Sequence, residues 1–288
     1  MKLRDRVTPS GLRKGLAGAL MTLAAAAAFA GGRVEWAIPY RASDAQLPED
    51  AYQRTQCKLD IYIPEGVEDF PTVVWFHGGG LVKGGRHFPD LKDKGIALVA
   101  VGYRLHPQAN YPAFLDDAGA AVAWTLDNIA KYGGDPNKVF VSGASAGGYL
   151  SAMVGMDPRW LEAYGHAPDE LAGIIPVTGQ MTTHFNVKKW LGDEGLQYRP
   201  VVDENAPMYY VRRGLPPFCI IVGDRDLDFP ARVSENQFMA DTLKVLKNKQ
   251  VEFYALEGLS HTQVSAGAAI IIPGFIERVT ETGPAKKK

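Results

Sequence analysis

Ser145 stands in Gly143-Ala144-Ser145-Ala146-Gly147, a G-x-S-x-G run that closes one apolar stretch and opens a helical pattern. A serine hydroxyl is a poor nucleophile unless it protrudes toward a base and a carbonyl. A tight strand-to-helix turn makes it protrude, and glycines two before and two after give the turn room. The helix N-terminus behind it offers N–H groups and positive potential to a developing oxyanion. The chemistry served is nucleophilic attack on a carbonyl, with Ser145 as the candidate nucleophile. A second run, His77-Gly78-Gly79-Gly80, lies some sixty-five residues earlier. Its glycines let the backbone approach a substrate oxygen. The N–H groups of Gly79, Gly80 and Ala146 are therefore the candidate oxyanion hole. A phosphate loop is the competing use of such glycines, but no Gly-Lys-Ser/Thr follows and G-x-G-x-x-G is missing.

A serine nucleophile needs a base, and the base needs an orienting carboxylate. Of six histidines, His261 in "EGLSHTQV" follows the last strand pattern and precedes the last helix, so it is the expected base. His77 is expected to hold the glycine loop by hydrogen bonding. His77, His184 and Phe185 are the candidate substrate-binding residues. His87 and His106 are further pocket candidates, and His166 is read as a surface residue. The carboxylate should come between serine and histidine in "FCIIVGDRDLDFP". Asp226, three residues past Gly223, is the expected choice. Asp228 and Asp224 are the alternatives, with turn-capping or solvated carboxylates as the roles of those not used.

These residues need elements to carry them. Strand patterns fall at Lys58–Ile63, Thr72–Phe76, Ile96–Val101, Val139–Ser142, Gly173–Val177, Phe218–Val222 and Val251–Leu256. Runs such as "TVVWF" and "FCIIV" are apolar throughout, as in strands buried on both faces of a parallel sheet. Helical spacing recurs over Phe114–Lys131, Ala146–Met156, Val233–Leu246 and Gln263–Arg278, with Pro273 expected to kink or break the last. Strands alternating with helices predict an α/β sheet flanked by helices on both faces. Gln180–Pro217 interrupts the rhythm. It is polar, aromatic and aperiodic, and reads as an excursion over one end of the sheet that lines a pocket.

Together, "HGGG", "GYRLHPQANYPAFLDD", "YGGDPNKVFVSGASAGG" and "GDRDLDFP" make the chain resemble the α/β-hydrolase superfamily, and within it the hormone-sensitive-lipase-like carboxylesterases. The resemblance covers roughly Tyr52–Ile276. It implies an eight-stranded, mostly parallel sheet, a Ser–Asp–His triad and no cofactor or metal. The order Ser145, Asp226, His261 is the order of that fold. Three features depart from the lipase-like pattern. The region ahead of the first expected strand is brief, so any cap is small or absent. Ala144 stands where Asp is common, and "DRDLD" replaces Asp-Pro-Leu. The chain is in these respects similar to bacterial feruloyl/acetyl esterases and arylformamidases. The expected substrate is a small ester with a short or aromatic acyl group, including one linked to a polysaccharide. An amidase, formamidase or peptidase with the same triad is the alternative. A haloalkane or epoxide hydrolase would carry Asp in place of Ser145.

Composition bounds the remaining possibilities. Of 288 residues, 46% are hydrophobic and 22% charged, ordinary for a globular chain able to bury its own core. Lys and Arg (31) nearly cancel Asp and Glu (32), which argues against a nucleic-acid partner. Cys57 and Cys219 form no CxxC and no zinc spacing, and are expected to be buried free thiols. Residues 1–30 carry a basic start, an uncharged Ala-rich stretch and Ala28-Phe29-Ala30, as in a secretory signal cleaved after Ala30. A secreted or periplasmic protein without a stable membrane partner is expected, with residues 31–288 forming one catalytic domain. The oligomeric state is left open.

Overall fold

The structure, a computed structural model, describes residues 31–41 and 51–281. The expected export signal and the Lys-rich C-terminal end lie outside the described residues. Eight strands form one sheet: β1 (Gly32–Pro39), β2 (Lys58–Pro64), β3 (Phe70–Phe76), β4 (Ala97–Val101), β5 (Gly134–Ala144), β6 (Gly173–Val177), β7 (Phe218–Val222) and β8 (Val251–Ala255). Their spatial order is β1-β2-β4-β3-β5-β6-β7-β8. The pairs β1/β2 and β2/β4 are antiparallel, and every pair from β4 to β8 is parallel. Helices are α1 (Ala51–Gln56), α2 (Ala113–Asn128), α3 (Ala146–Met156), α4 (Arg159–Glu162), α5 (Phe185–Trp190), α6 (Arg232–Val245) and α7 (Val264–Glu281).

Side chains alternate across the sheet, and both faces are buried. Val74, Val141, Ile174 and Ile220 face α2, α3 and α6. Val73, Phe140, Ile175 and Ile221 face α7. Continuous apolar runs therefore mark strands covered by helices on both sides. All seven strands expected from sequence are present. β5 begins earlier than expected because Gly134 pairs with Phe70 across a register irregularity. The eighth, β1, escaped the pattern. It is a mostly exposed edge strand, interrupted by a bulge where Ala37 sits at φ 57° and donates its N–H to Asp60 Oδ1 at 2.7 Å. Pro273 does not break the last helix. α7 runs through it, with Ile272, Phe275, Ile276 and Val279 buried against the sheet. One lost backbone bond is offset by that apolar face.

Two links bring the layers to the site. Fully buried Asp117 of α2 accepts from the Arg104 N–H at 2.8 Å and from its guanidinium at 2.7 Å, pinning the chain after β4 onto α2. That chain carries Tyr103, whose hydroxyl donates to the His77 carbonyl at 2.7 Å. Cys57 and Cys219 are buried free thiols, and burial pushes the Cys57 thiol up to about 12.

Phe275 packs edge-on against Phe140 at 6.3 Å and is fully buried. Phe275→Ala should lower unfolding free energy by about 3–5 kcal/mol. Ile270→Ala on the same helix, where Ile270 is 82% exposed, should stay within about 0.5 kcal/mol. Urea denaturation of both variants checks the pair.

Candidate active site

Ser145 sits between β5 and α3 at φ 57°, ψ −115°, a conformation side chains rarely adopt. Its N–H donates to the Val177 carbonyl and its carbonyl accepts from Tyr149, so the strained unit is anchored on both sides. The flanking glycines answer to packing. A Cβ on Gly147 would lie 1.9 Å from the Phe76 carbonyl oxygen at the end of β3, and one on Gly143 would lie 2.5 Å from the same atom.

His261 Nε2 is 2.9 Å from Ser145 Oγ, and its Nδ1 is 2.6 Å from Asp228 Oδ1. The carboxylate accepts from Nδ1, so the proton lies there and Nε2 faces the serine as acceptor. The carboxylate beside His261 is thus Asp228, a correction to the expected Asp226. The chain past β7 winds one helical turn, with the Asp228 N–H donating to the Asp224 carbonyl at 2.8 Å. At about 100° per residue, positions four apart share a side and positions two apart oppose. Asp228 is brought back over the Gly223 N–H, whereas Asp226 is exposed on the far side. Asp224 takes a capping role, accepting from the Asp226 and Gly258 N–H groups. Its bond to Gly258 ties the acid loop to the loop that carries His261.

The Asp228 side chain has no exposed surface. Burial pushes its carboxyl up, but bonds from His261, the Thr178 hydroxyl (2.5 Å) and the N–H groups of Phe229 and Gly223 outweigh this and bring it down to about 2. Phe229 also stacks on the His261 ring at 4.0 Å. Thr178 and Phe229 were not singled out from sequence. Phe229 follows the acid directly in "DFP", the one signal available for it.

The glycine loop after β3 lies against the Ser145 turn, with Gly78 close enough that a Cβ there would be 3.4 Å from Ser145 Cβ. Gly79 has φ 107°, and a Cβ on it would fall 1.9 Å from the Lys83 carbonyl. Ala146 is the first residue of α3, where helical geometry supplies no partner for its N–H. His77 holds the loop rather than facing outward. It is buried, stacks on Tyr103 at 4.2 Å and donates Nδ1–H to the Gly78 carbonyl at 2.7 Å. Burial pushes its imidazole down to about 4, so it stays neutral. Asn186 of α5, another residue not anticipated, donates its side-chain amide to the Gly80 carbonyl at 2.7 Å.

The Gln180–Pro217 excursion holds α5 and a 3-10 turn at Pro207–Tyr210. His184 is buried at its start, where Nδ1 accepts from the Asn186 N–H, and burial pushes this imidazole down to about 3. His184 therefore caps α5, and its ring stacks on Phe185 at 4.4 Å. Phe185 continues through Tyr198 to Phe229, giving an aromatic row that ends on His261. His106 stacks on Trp190, and His166 bonds Glu170. Two clefts, one of about 400 Å³ lined by Phe88, Pro89, Asp90 and Lys92 and one of about 260 Å³ lined by Pro39, Arg41, Gln53, Arg54, Cys57 and Lys58, include none of these residues.

The BD-FAE family model matches residues 59–240, more than half of the chain. Esterase LipC of Mycobacterium tuberculosis is 27% identical over 217 residues, covering 70% of this chain and 52% of LipC. Carboxylesterase NlhH of the same organism is 41% identical over 107 residues, 35% of this chain and 34% of NlhH. The chain thus spans about half of the first relative and about a third of the second. Among solved structures, a truncated carbohydrate esterase from gut microbiota superposes with a TM-score of 0.68 at 16% identity, over 86% of this chain and 96% of its own. An esterase of Pyrobaculum calidifontis gives 0.61 at 24% identity, over 77% and 80%. These likenesses agree on the α/β-hydrolase fold.

Asp228→Asn should lower kcat for a nitrophenyl ester by about 10⁴-fold, while Asp226→Asn should change it less than about twofold. Initial rates of the two variants check the assignment. The depressed Asp228 carboxyl also contributes stability that is fully present above its ordinary value of 3.8 and lost as pH falls toward about 2. Asp228→Asn should flatten the pH dependence of the urea midpoint in that window.

Proposed function

The chain belongs to the BD-FAE family, and from that premise we propose that it is a serine carboxylesterase. The observation that carries the reading is the hydrogen-bonded line from Ser145 through His261 to Asp228. In the proposed reaction, Ser145 Oγ attacks an ester carbonyl as its proton passes to His261 Nε2. Asp228 holds Nδ1–H and stabilises the imidazolium that forms. The N–H groups of Gly79, Gly80 and Ala146 receive the oxyanion, each worth about 2.7–4 kcal/mol of transition-state stabilisation. The intermediate collapses, and the alcohol leaves with the proton from Nε2. Water then attacks the acyl-enzyme with His261 again as base, which releases the acid and restores Ser145.

The proposed substrates are short-chain or aromatic esters, including those carried by a polysaccharide. The aromatic row Phe185, Tyr198 and Phe229 beside His261 supports a flat or small acyl group. Export with cleavage after Ala30 belongs to the same proposal, resting on the charge and side-chain pattern of residues 1–30.

Hydrolysis of p-nitrophenyl acetate, butyrate and laurate by the parent and by Ser145→Ala tests the reading. Acetate or butyrate should be preferred, and the variant should lose about a thousandfold or more. Equal rates in both proteins would remove Ser145 from the mechanism. A steep preference for laurate would overturn the substrate class. Cleavage of an aryl formamide or anilide with no ester hydrolysis would move the chain to amide chemistry.

A further inference from the structure

Thr178 follows β6 at φ 45° and is buried. A β-branched residue in the left-handed region is a genuine outlier, and it persists only where its surroundings over-determine it. Here they do. Its N–H donates to the Ile221 carbonyl at 2.6 Å. Its carbonyl accepts from the buried Arg232 guanidinium, which is ion-paired with Glu235 at 3.0 Å. The next residue, Gly179, is pressed onto α3, where an added Cβ would lie 2.6 Å from the Gly148 carbonyl carbon. The Gly179 carbonyl accepts from Asn236 at 2.8 Å. Three elements, β7, α3 and α6, thus hold this strained pair in place.

The strain aims one atom. Thr178 Oγ1 lies 2.5 Å from Asp228 Oδ2 and 3.1 Å from His261 Nδ1. A hydroxyl has one proton, and a carboxylate only accepts, so that proton points to Asp228. The oxygen then faces the Nδ1–H with a lone pair. The imidazole proton is shared in a three-centre arrangement between Asp228 Oδ1 and Thr178 Oγ1.

We infer that Thr178 is a positioning residue of the reaction: its hydroxyl, donating to Asp228 and accepting from His261, fixes the carboxylate rotamer and the ring orientation that point Nε2 at Ser145. The inference rests on the triad reading of the proposed function. It also explains why a threonine occupies a backbone conformation that glycine or asparagine would adopt at less cost. Thr178 acts through Asp228 and His261, with no part in the bonds that form or break.

The test compares Thr178→Val, nearly the same shape without the hydroxyl, with Thr178→Ser, which keeps it. Thr178→Ala serves as the hydroxyl-free variant should valine prevent folding, with far-ultraviolet circular dichroism as the folding check. On p-nitrophenyl acetate, Val or Ala should lower kcat about 10- to 100-fold with KM little changed, and Ser should stay within about threefold of the parent. The second readout does not need turnover. The low-field proton resonance of His261 Nδ1–H should shift and exchange faster with solvent in Val or Ala, and keep its parent position in Ser. Equal kcat in Val and Ser, a Ser variant as slow as Val, or an effect confined to KM would overturn the inference. So would an unchanged Nδ1–H resonance in Val or Ala. If the parent hydrolyses no ester, the esterase reading fails, while the resonance still decides what Thr178 does to the histidine.

Discussion

Close approach between the end of β3 and the start of α3 governs the rest of the site. The Phe76 carbonyl occupies space that any side chain at Gly143 or Gly147 would need. Nothing larger than glycine lets the nucleophile turn settle against that strand. Once it has settled, Ser145 is forced into its unusual backbone angles, and the glycine loop leaving β3 runs beside it. The proposed nucleophile and the proposed oxyanion donors are thus neighbours because two strand ends touch. Parallel pairing of β3 with β5, in register from Thr72/Val139 to Phe76/Gly143, brings those ends level.

Around that contact, buried polar groups are sorted by partner. Burial alone pushes imidazoles toward neutrality, and His77 and His184 follow it, each spending one ring nitrogen on a backbone partner. The Asp228 side chain also has no exposed surface, yet it stays ionised, because four donors converge on its two oxygens. The donors decide its charge. Desolvating a carboxylate is costly unless its lone pairs are filled, and here they are filled by His261, one hydroxyl and two backbone N–H groups.

The legible parts of the sequence were those governed by short-range rules. Apolar runs revealed the central strands, since a strand covered on both faces carries few polar positions, Thr72 and Ser142 among them. Ser145 and the glycine loop could be picked out because the chemistry proposed for them demands particular neighbours within a few residues, and His261 by its place after the last strand pattern. The acid was harder. Asp224, Asp226 and Asp228 differ only in how the chain winds after β7, and a single Asp224–Asp228 turn decides among them. β1 was obscured because an exposed edge strand with a bulge lacks a clean alternation. Thr178 and Asn186 left no trace in any local pattern, being 50 and 106 residues from the partners they bind.

Asn186 has a consequence for how such a chain can diversify. The excursion that holds it lies outside the strand–helix alternation, and connections of that kind tolerate lengthening, shortening or exchange. Yet its amide also clamps the Gly80 carbonyl of the loop after β3. A segment grafted from another chain would therefore have to bring its own donor to that oxygen, or leave the Gly80 peptide able to rotate. In the proposed reaction, the excursion and the oxyanion loop are thus mechanically joined at one peptide unit. Variation should be tolerated more readily beyond α5, from Leu191 to Gln197, than in the six residues of α5 itself.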